Sequence, residues 1–379
     1  MERRQFLKLM SSAFGQSALV GLTGCVALPK RARVSSAAAQ DLGVISLVRR
    51  GHSKDTSILT IYDWSGEASS VTQIPLNNPH SMLRSAAEPS VIYVFESLGS
   101  AARIDLGSGN VLKVDHRLTR EPFFGHAFQT PDGRRLLCSQ FDTKARLLVT
   151  VRSAADLSYL GELPRECDFT HHVVGLPGTS IAVCGQFMPS PKRKRAGVVF
   201  YDYERMRTER VVDLDDGILH LLPLSSEELI GVGYKVRPGT VAGRREHPYE
   251  DESRSNVEAY KTVEALPAPV YRLSSKGLVE KYWDLSRPED YKIGFGLAKV
   301  GEGGHFITGH KGSNVVRLWR DFKVVKEERV TQPTTMVVSR DGSRCLVVSQ
   351  GKGIVFATET LERLAIVEGE RDIVIAAAY

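Results

Sequence analysis

Short apolar runs, each leading into a polar or glycine-containing turn, recur along the chain at a nearly constant interval. Residues 58–62 run into a turn at 63–66 and residues 102–106 into one at 107–109; comparable runs lie at 147–151, 198–201, 270–273, 315–319 and 354–357. Their first residues are spaced by 44, 45, 51, 72, 45 and 39 positions. Apolar runs of this length bounded by turn signals predict strands. A repeat of about 45 residues is the length of one four-stranded propeller blade.

A second register runs in parallel. His80, His126, His172 and His220 are separated by 46, 46 and 48 residues, and each opens a strand-like segment. The same frame places Gly296 and Thr335 at the corresponding positions of two further segments. The apolar run 373–379 has no strand left to follow it, whereas residues 44–48 begin a blade that lacks an inner strand. The expectation is an all-β protein, a seven-bladed β-propeller with the C-terminal strand closing the first blade, which removes the free sheet edges of an open array.

The chain has 379 residues, 42% hydrophobic and 25% charged, a composition that supports one large core. The repeat absorbs residues 43–379 as a single domain, preceded by a linker over 26–42 and a targeting segment over 1–25. In that segment Arg3 and Arg4, followed by Phe6, Leu7 and Lys8, resemble the twin-arginine export motif, and a moderately apolar stretch follows. Leu22, Thr23, Gly24 and Cys25 resemble the lipobox of bacterial lipoproteins, in which the cysteine becomes the lipidated first residue. The alternative leaves Cys25 incidental, with cleavage near Ala37, Ala38 and Ala39. The expected location is periplasmic, with the lipid on Cys25 as the only membrane contact.

Loss of residues 1–24 removes three basic and one acidic side chain and lowers the formal charge from +6 to +4, too little to argue for nucleic acid as a partner. Cys138, Cys184 and Cys345 occupy equivalent places in different repeats, where the blades diverge, so buried free thiols are expected rather than disulfides; Cys167 has no evident partner. A monomer is expected.

The start of each inner strand and the end of the next strand share one end of a propeller, beside its central channel. The four periodic histidines are therefore expected in an arc there, joined by Glu96, Gln140, Gln186, Tyr234, His310 and Gln350 about fourteen residues further along each repeat. Two long loops, 189–195 with its basic tip and 237–267, are expected to rise at the same end, the second as a partial lid. Three readings of the arc stay open: structural histidines bonded to neighbouring strand ends, direct binding of an anionic or protein ligand, and metal or haem-iron ligation drawing on His126, His172 and His220. By strand alternation His171 is expected to point into the blade packing. No Gly-x-Ser-x-Gly, phosphate-cradling or His-Glu-x-x-His motif is present. Binding is thus the first expectation, with a propeller enzyme, a metal-dependent hydrolase or lyase using the same histidine-lined end, as the alternative.

Arg3 and Arg4, the segment from Phe123 to His126 followed by Pro131, Asp132, Gly133 and Arg134, and the His247-Pro248 pair in the long insertion together resemble a family of twin-arginine-exported propellers often encoded beside imelysin-type, iron-regulated periplasmic proteins. That family falls in the YVTN/WD40-like propeller superfamily. The resemblance implies an exported accessory or binding protein in periplasmic iron acquisition. It implies no particular catalytic activity.

Overall fold

Two of the turns that cut the chain into strands match down to single hydrogen bonds. Thr130 Oγ1 donates to Asp132 at 2.5 Å while the Arg134 amide donates to the same carboxylate at 3.0 Å; Ser339, Asp341 and Ser343 repeat this at 2.6 and 3.0 Å. In each turn the glycine amide, Gly133 or Gly342, closes back on the carbonyl of residue 130 or 339. These bonds hold both aspartates below the usual carboxylate range, so the turns keep their form at neutral pH.

The computed structural model describes residues 45–50, 56–116, 121–142, 147–167, 169–178, 180–186, 196–235, 267–301, 304–368 and 373–378. The export and lipobox motifs and nearly all of both long loops lie outside them. The described residues form an all-β structure of antiparallel ladders with one 3-10 turn, Pro288–Tyr291, and no α-helix.

The first strands are β1 (Ile45–Arg50), β2 (Ser57–Tyr62) and β3 (Ala68–Ile74). They are followed by β4 (Pro79–Arg84), β5 (Val91–Gly99), β6 (Ala101–Asp105) and β7 (Asn110–Asp115), then by β8 (Phe123–Gln129), β9 (Arg135–Phe141), β10 (Leu147–Ser153) and β11 (Tyr159–Glu162). The middle of the chain supplies β12 (Phe169–Gly175), β13 (Ser180–Gln186), β14 (Ala196–Asp202) and β15 (Arg207–Leu214), and β16 (Asp216–Pro223), β17 (Glu228–Lys235), β18 (Val270–Ser274) and β19 (Val279–Tyr282). The last strands are β20 (Gly294–Lys299), β21 (Phe306–His310), β22 (Val315–Arg320) and β23 (Lys323–Arg329), β24 (Pro333–Val338), β25 (Arg344–Ser349), β26 (Lys352–Ala357) and β27 (Arg363–Val367), and β28 (Ile373–Ala378).

From β4 onward each successive group of four forms an antiparallel meander, and β28 joins the first three strands in the order β28-β1-β2-β3. One departure from separate four-stranded sheets occurs: the long β5 also reaches β8, with Ser97 opposite Phe124 and Gly99 opposite Phe123, which merges β4–β7 and β8–β11 into one eight-stranded sheet.

Apolar residues of neighbouring meanders meet face to face. Val198 and Phe200 pack with Leu229 and Tyr271, and Ile230 and Val270 pack with Phe306 and Trp319. Ile45, Leu47 and Trp64 at the start of the chain pack with Leu346, Val348 and Val355 near its end. The strands β4, β8, β12, β16, β20, β24 and β28 lie each against the next, and β28 also against β4. Burying both faces of every sheet is what places nearly continuous apolar runs in the third strands, such as β14, all of whose residues are buried.

Candidate functional site

Each of the strands β4, β8, β12, β16, β20 and β24 carries a register break near its start. The breaks fall between Pro79 and Ser81, Phe123 and Ala127, Thr170 and Val173, Ile218 and His220, Gly294 and Gly296, and Pro333 and Met336. A bulge leaves a residue unpaired and re-aims its side chain. In four of these strands the residues at or beside the bulge are histidines, and their rings meet.

His80 is delivered by a turn that Glu96 clamps. The buried carboxylate accepts the amides of Asn77, Asn78 (3.1 Å) and Ser100 (2.6 Å), fixing the start of β4. His126 follows Gly125, whose φ is +91° and whose place admits no side chain: a Cβ there would lie 2.4 Å from His80 Cδ2. With that glycine, His80 Nε2 and His126 Nε2 come within 3.1 Å. The bulge in β12 puts both His171 and His172 against His126, at ring-centroid distances of 4.6 and 4.7 Å. Loss of alternation at that bulge corrects the expectation that His171 turns away into the blade packing. His220 completes the group, 5.1 Å from His172, 5.3 Å from His126 and stacked at 5.4 Å on His171.

The hydrogen bonds around the group fix two tautomers. The Leu221 amide donates to His172 Nδ1 at 3.0 Å, so the neutral His172 ring carries its proton on Nε2. His220 Nδ1–H donates to the carbonyl of Phe295, whose ring also lies 4.7 Å away, so the His220 lone pair is on Nε2. That atom is buried and has no hydrogen-bond partner among the described residues.

Burial holds the His80 and His220 imidazoles down at about 4; His220 adds to the effect at His80, and the Phe295 carbonyl opposes it at His220. Burial, reinforced by the surrounding imidazoles, holds His126 and His172 well below the usual histidine range. At neutral pH His80, His126, His172 and His220 are therefore uncharged nitrogen donors. These four rings offer an anion no Coulombic attraction of their own. Lys311 stands nearby, its ammonium 5.4 Å over the Phe295 ring and its pKa lowered to about 8 by burial. One nitrogen from each of His80, His126 and His171 lies within 4.8 Å of the others, an arrangement able to hold a metal ion.

The second set of expected site residues stays within its own sheets. Gln140 accepts from Thr150 (2.7 Å) and Arg152 (3.0 Å) and donates to the Glu121 carbonyl (2.6 Å). His310, fully buried, lies 3.0 Å from Thr308 Oγ1 and against Tyr291. Gln350 is an exposed turn residue with φ +46° between β25 and β26. The buried side chains of Gln140 and His310 thus bond to groups of their own sheets and neighbouring turns. The backbone of Gln186 ends β13 and that of Tyr234 is next to last in β17; their side chains lie outside the described residues. The nitrogens that lie close enough to share a metal ion belong to His80, His126 and His171, so of the expected trio His126, His172 and His220 only His126 is among them.

No protein-family model and no characterised protein matches the sequence. The chain is similar in structure to U3-55K, at TM-score 0.58 and 12% identity over 88% of each chain. It is likewise similar to hydrazine synthase of Kuenenia stuttgartiensis, at TM-score 0.58 and 11% identity over 86% of this chain and 95% of that one. The WD40 repeats of RRP9 match at TM-score 0.58 and 12% identity over 88% and 86%. These likenesses place the chain in the β-propeller class, with a WD40-like fold. At such identities they speak to fold alone.

Proposed function

We propose that the chain is a seven-bladed β-propeller, exported by the twin-arginine route through Arg3 and Arg4, anchored by a lipid on Cys25 and monomeric, that acts as a periplasmic binding protein in iron acquisition through its histidine-lined end. Several features support seven blades over residues 43–379: β4–β7 and β8–β11 each keep a full four-strand ladder despite the β5–β8 link, and the neighbour contacts of the inner strands return from β28 to β4. One observation carries the binding role. Four successive inner strands bulge near their starts, and the histidines 46, 46 and 48 residues apart meet there with ring centroids between 4.7 and 5.1 Å for consecutive pairs. Bulges and convergent polar rings placed beside a channel are features of a ligand site.

Native mass spectrometry of the protein purified from its own cell envelope tests this reading. The wild-type spectrum is expected to carry a bound mass that the folded double variant His80→Asn/His220→Asn lacks. Identical spectra for the two proteins, both without an adduct, would refute a binding role for this end.

A further inference from the structure

Resting on the histidine-lined end being the functional one, we propose that His80, His126, His171 and His220 form a mononuclear site for a divalent late first-row transition metal, held by imidazole nitrogen alone, and that His172 stands beside it as a hydrogen-bond donor.

The geometry of the first three rings comes first. Metal–nitrogen bonds of about 2.0–2.1 Å at tetrahedral angles put ligand nitrogens roughly 3.3 Å apart. The His80 and His126 Nε2 atoms are 3.1 Å apart, and one nitrogen from each of His80, His126 and His171 lies within 4.8 Å of the other two.

The fourth ligand follows from the tautomers. His220 gives its Nδ1 proton to a backbone carbonyl, which leaves a lone pair on a buried Nε2 that has no hydrogen-bond partner among the described residues. A ring N–H held by a carbonyl while the other nitrogen is left free is the usual outer support of a metal-bound histidine. His172 has the opposite tautomer: its Nδ1 is occupied by the Leu221 amide, and its Nε2 carries a proton. It can donate to a further ligand of the metal, and it cannot itself ligate through Nε2. The two remaining rings are thereby sorted, one to ligation and one to donation, by hydrogen bonds made to their own surroundings.

Donor chemistry sets the class of ion. Imidazole suits zinc, copper, nickel and ferrous iron, whereas calcium and magnesium take oxygen. Four neutral ligands leave both charges of the ion uncompensated, so a loaded site would attract an anion to the side where His172 donates. His80 is half-buried while His126 and His171 are 7% and 1% exposed, so His80 is nearer to solvent than either of them.

Chelator-stripped full-length protein titrated with Co(II) and Zn(II) tests the proposal. The expected result is one ion per chain, intense Co(II) d–d absorption of a four-coordinate nitrogen site, and a melting temperature raised by Zn(II). His80→Asn and His220→Asn are each expected to weaken Co(II) binding at least tenfold, and His172→Asn by less than about threefold. Absence of saturable one-to-one binding to folded wild-type protein, or binding unchanged in His80→Asn, overturns the site. His172→Asn losing as much as His220→Asn overturns the sorting of the two rings. Because His80 is half-buried, its variant is expected to fold even where substitution of His126 or His171 does not. A wild-type protein that takes no metal yet carries some other mass lost in the His80→Asn/His220→Asn variant would refute the metal and leave the binding role standing.

Discussion

His80 Nε2 lies 3.1 Å from His126 Nε2, although 46 residues separate the two and each belongs to a different four-strand meander. Neutral imidazoles can share one proton at that distance, so the contact persists without a ligand and keeps the two rings converged. Burial that disfavours the charged form of both makes the contact compatible with neutral pH.

Gly125→Ala is expected to break this contact. The position has φ +91°, and an added Cβ would meet His80 Cδ2 at 2.4 Å and its Cβ at 2.7 Å. Backbone strain alone costs on the order of 1–2 kcal/mol, and displacement of the ring adds to it. A drop in the urea midpoint together with shifted histidine ring resonances in NMR spectra checks this; a variant with wild-type resonances would show that the rings do not depend on the glycine.

The strand recurrence and the histidine spacing were legible because they rest on burial. The runs beginning at Ile58, Ala102, Leu147, Val198, Val270, Val315 and Ile354 fall in β2, β6, β10, β14, β18, β22 and β26, each third in its ladder. The side-chain directions at the histidines were not legible, because a bulge inserts a residue without any compositional mark. Alternation alone sends His171 and His172 to opposite faces; the break between Thr170 and Val173 brings both to His126. The tandem His171-His172, next to a register already marked by three other histidines, was the available hint. Gln140 and His310 sit at or next to the strand ends their spacing suggests, and Glu96 opposite the start of β4, but which local groups a buried polar side chain satisfies depends on contacts such as Arg152 to Gln140, which no spacing predicts.

Cys138 and Cys345 are expected to be chemically silent in the folded protein. Both are buried, and burial pushes their thiols up to about 12, so neither forms the reactive thiolate at neutral pH. Titration with a thiol reagent under native conditions should leave both unmodified, and denaturant should expose them. Rapid native labelling of either, located by peptide mapping, would contradict their burial.

Stability is expected to fall below about pH 6.5, and His310 to contribute one share of that fall. Its burial and the nearby Arg317 hold its folded pKa well below 6.5, while Trp319 donating to Thr308 at 2.9 Å leaves the Thr308 hydroxyl to serve His310 Nε2. As pH drops through 6.5 the unfolded chain takes up a proton at this residue and the folded chain does not. Stability is thus flat above that pH and declines below it, by about 1.4 kcal/mol per unit for each such histidine. His310→Gln should reduce the slope between pH 6 and 5 by about one proton relative to wild type. Equal slopes in denaturant melts of the two proteins would mean that His310 titrates normally.

The C-terminal strand carries the last prediction. In β28, Ala378 pairs with Ile45 and Ala376 with Leu47, the Ile373 amide donates to the Gly351 carbonyl at 2.7 Å, and the Ile373 side chain packs among Leu346, Val348 and Val355. These contacts tie β1, near the start of the described chain, to the meander that ends it. Ending the chain before Ile373 removes a full ladder of hydrogen bonds and a core side chain. The expected loss is on the order of 3–6 kcal/mol, taking burial and bonds together. It also exposes the backbone edge of β1, a template for pairing with another chain, so the shortened protein should aggregate on heating where the parent does not. Ile373→Ala separates the two effects: it keeps the edge covered and should lower stability by about 2–4 kcal/mol without promoting association. A truncated protein with the parent's urea midpoint would show that β28 is not needed to hold the first and last sheets together.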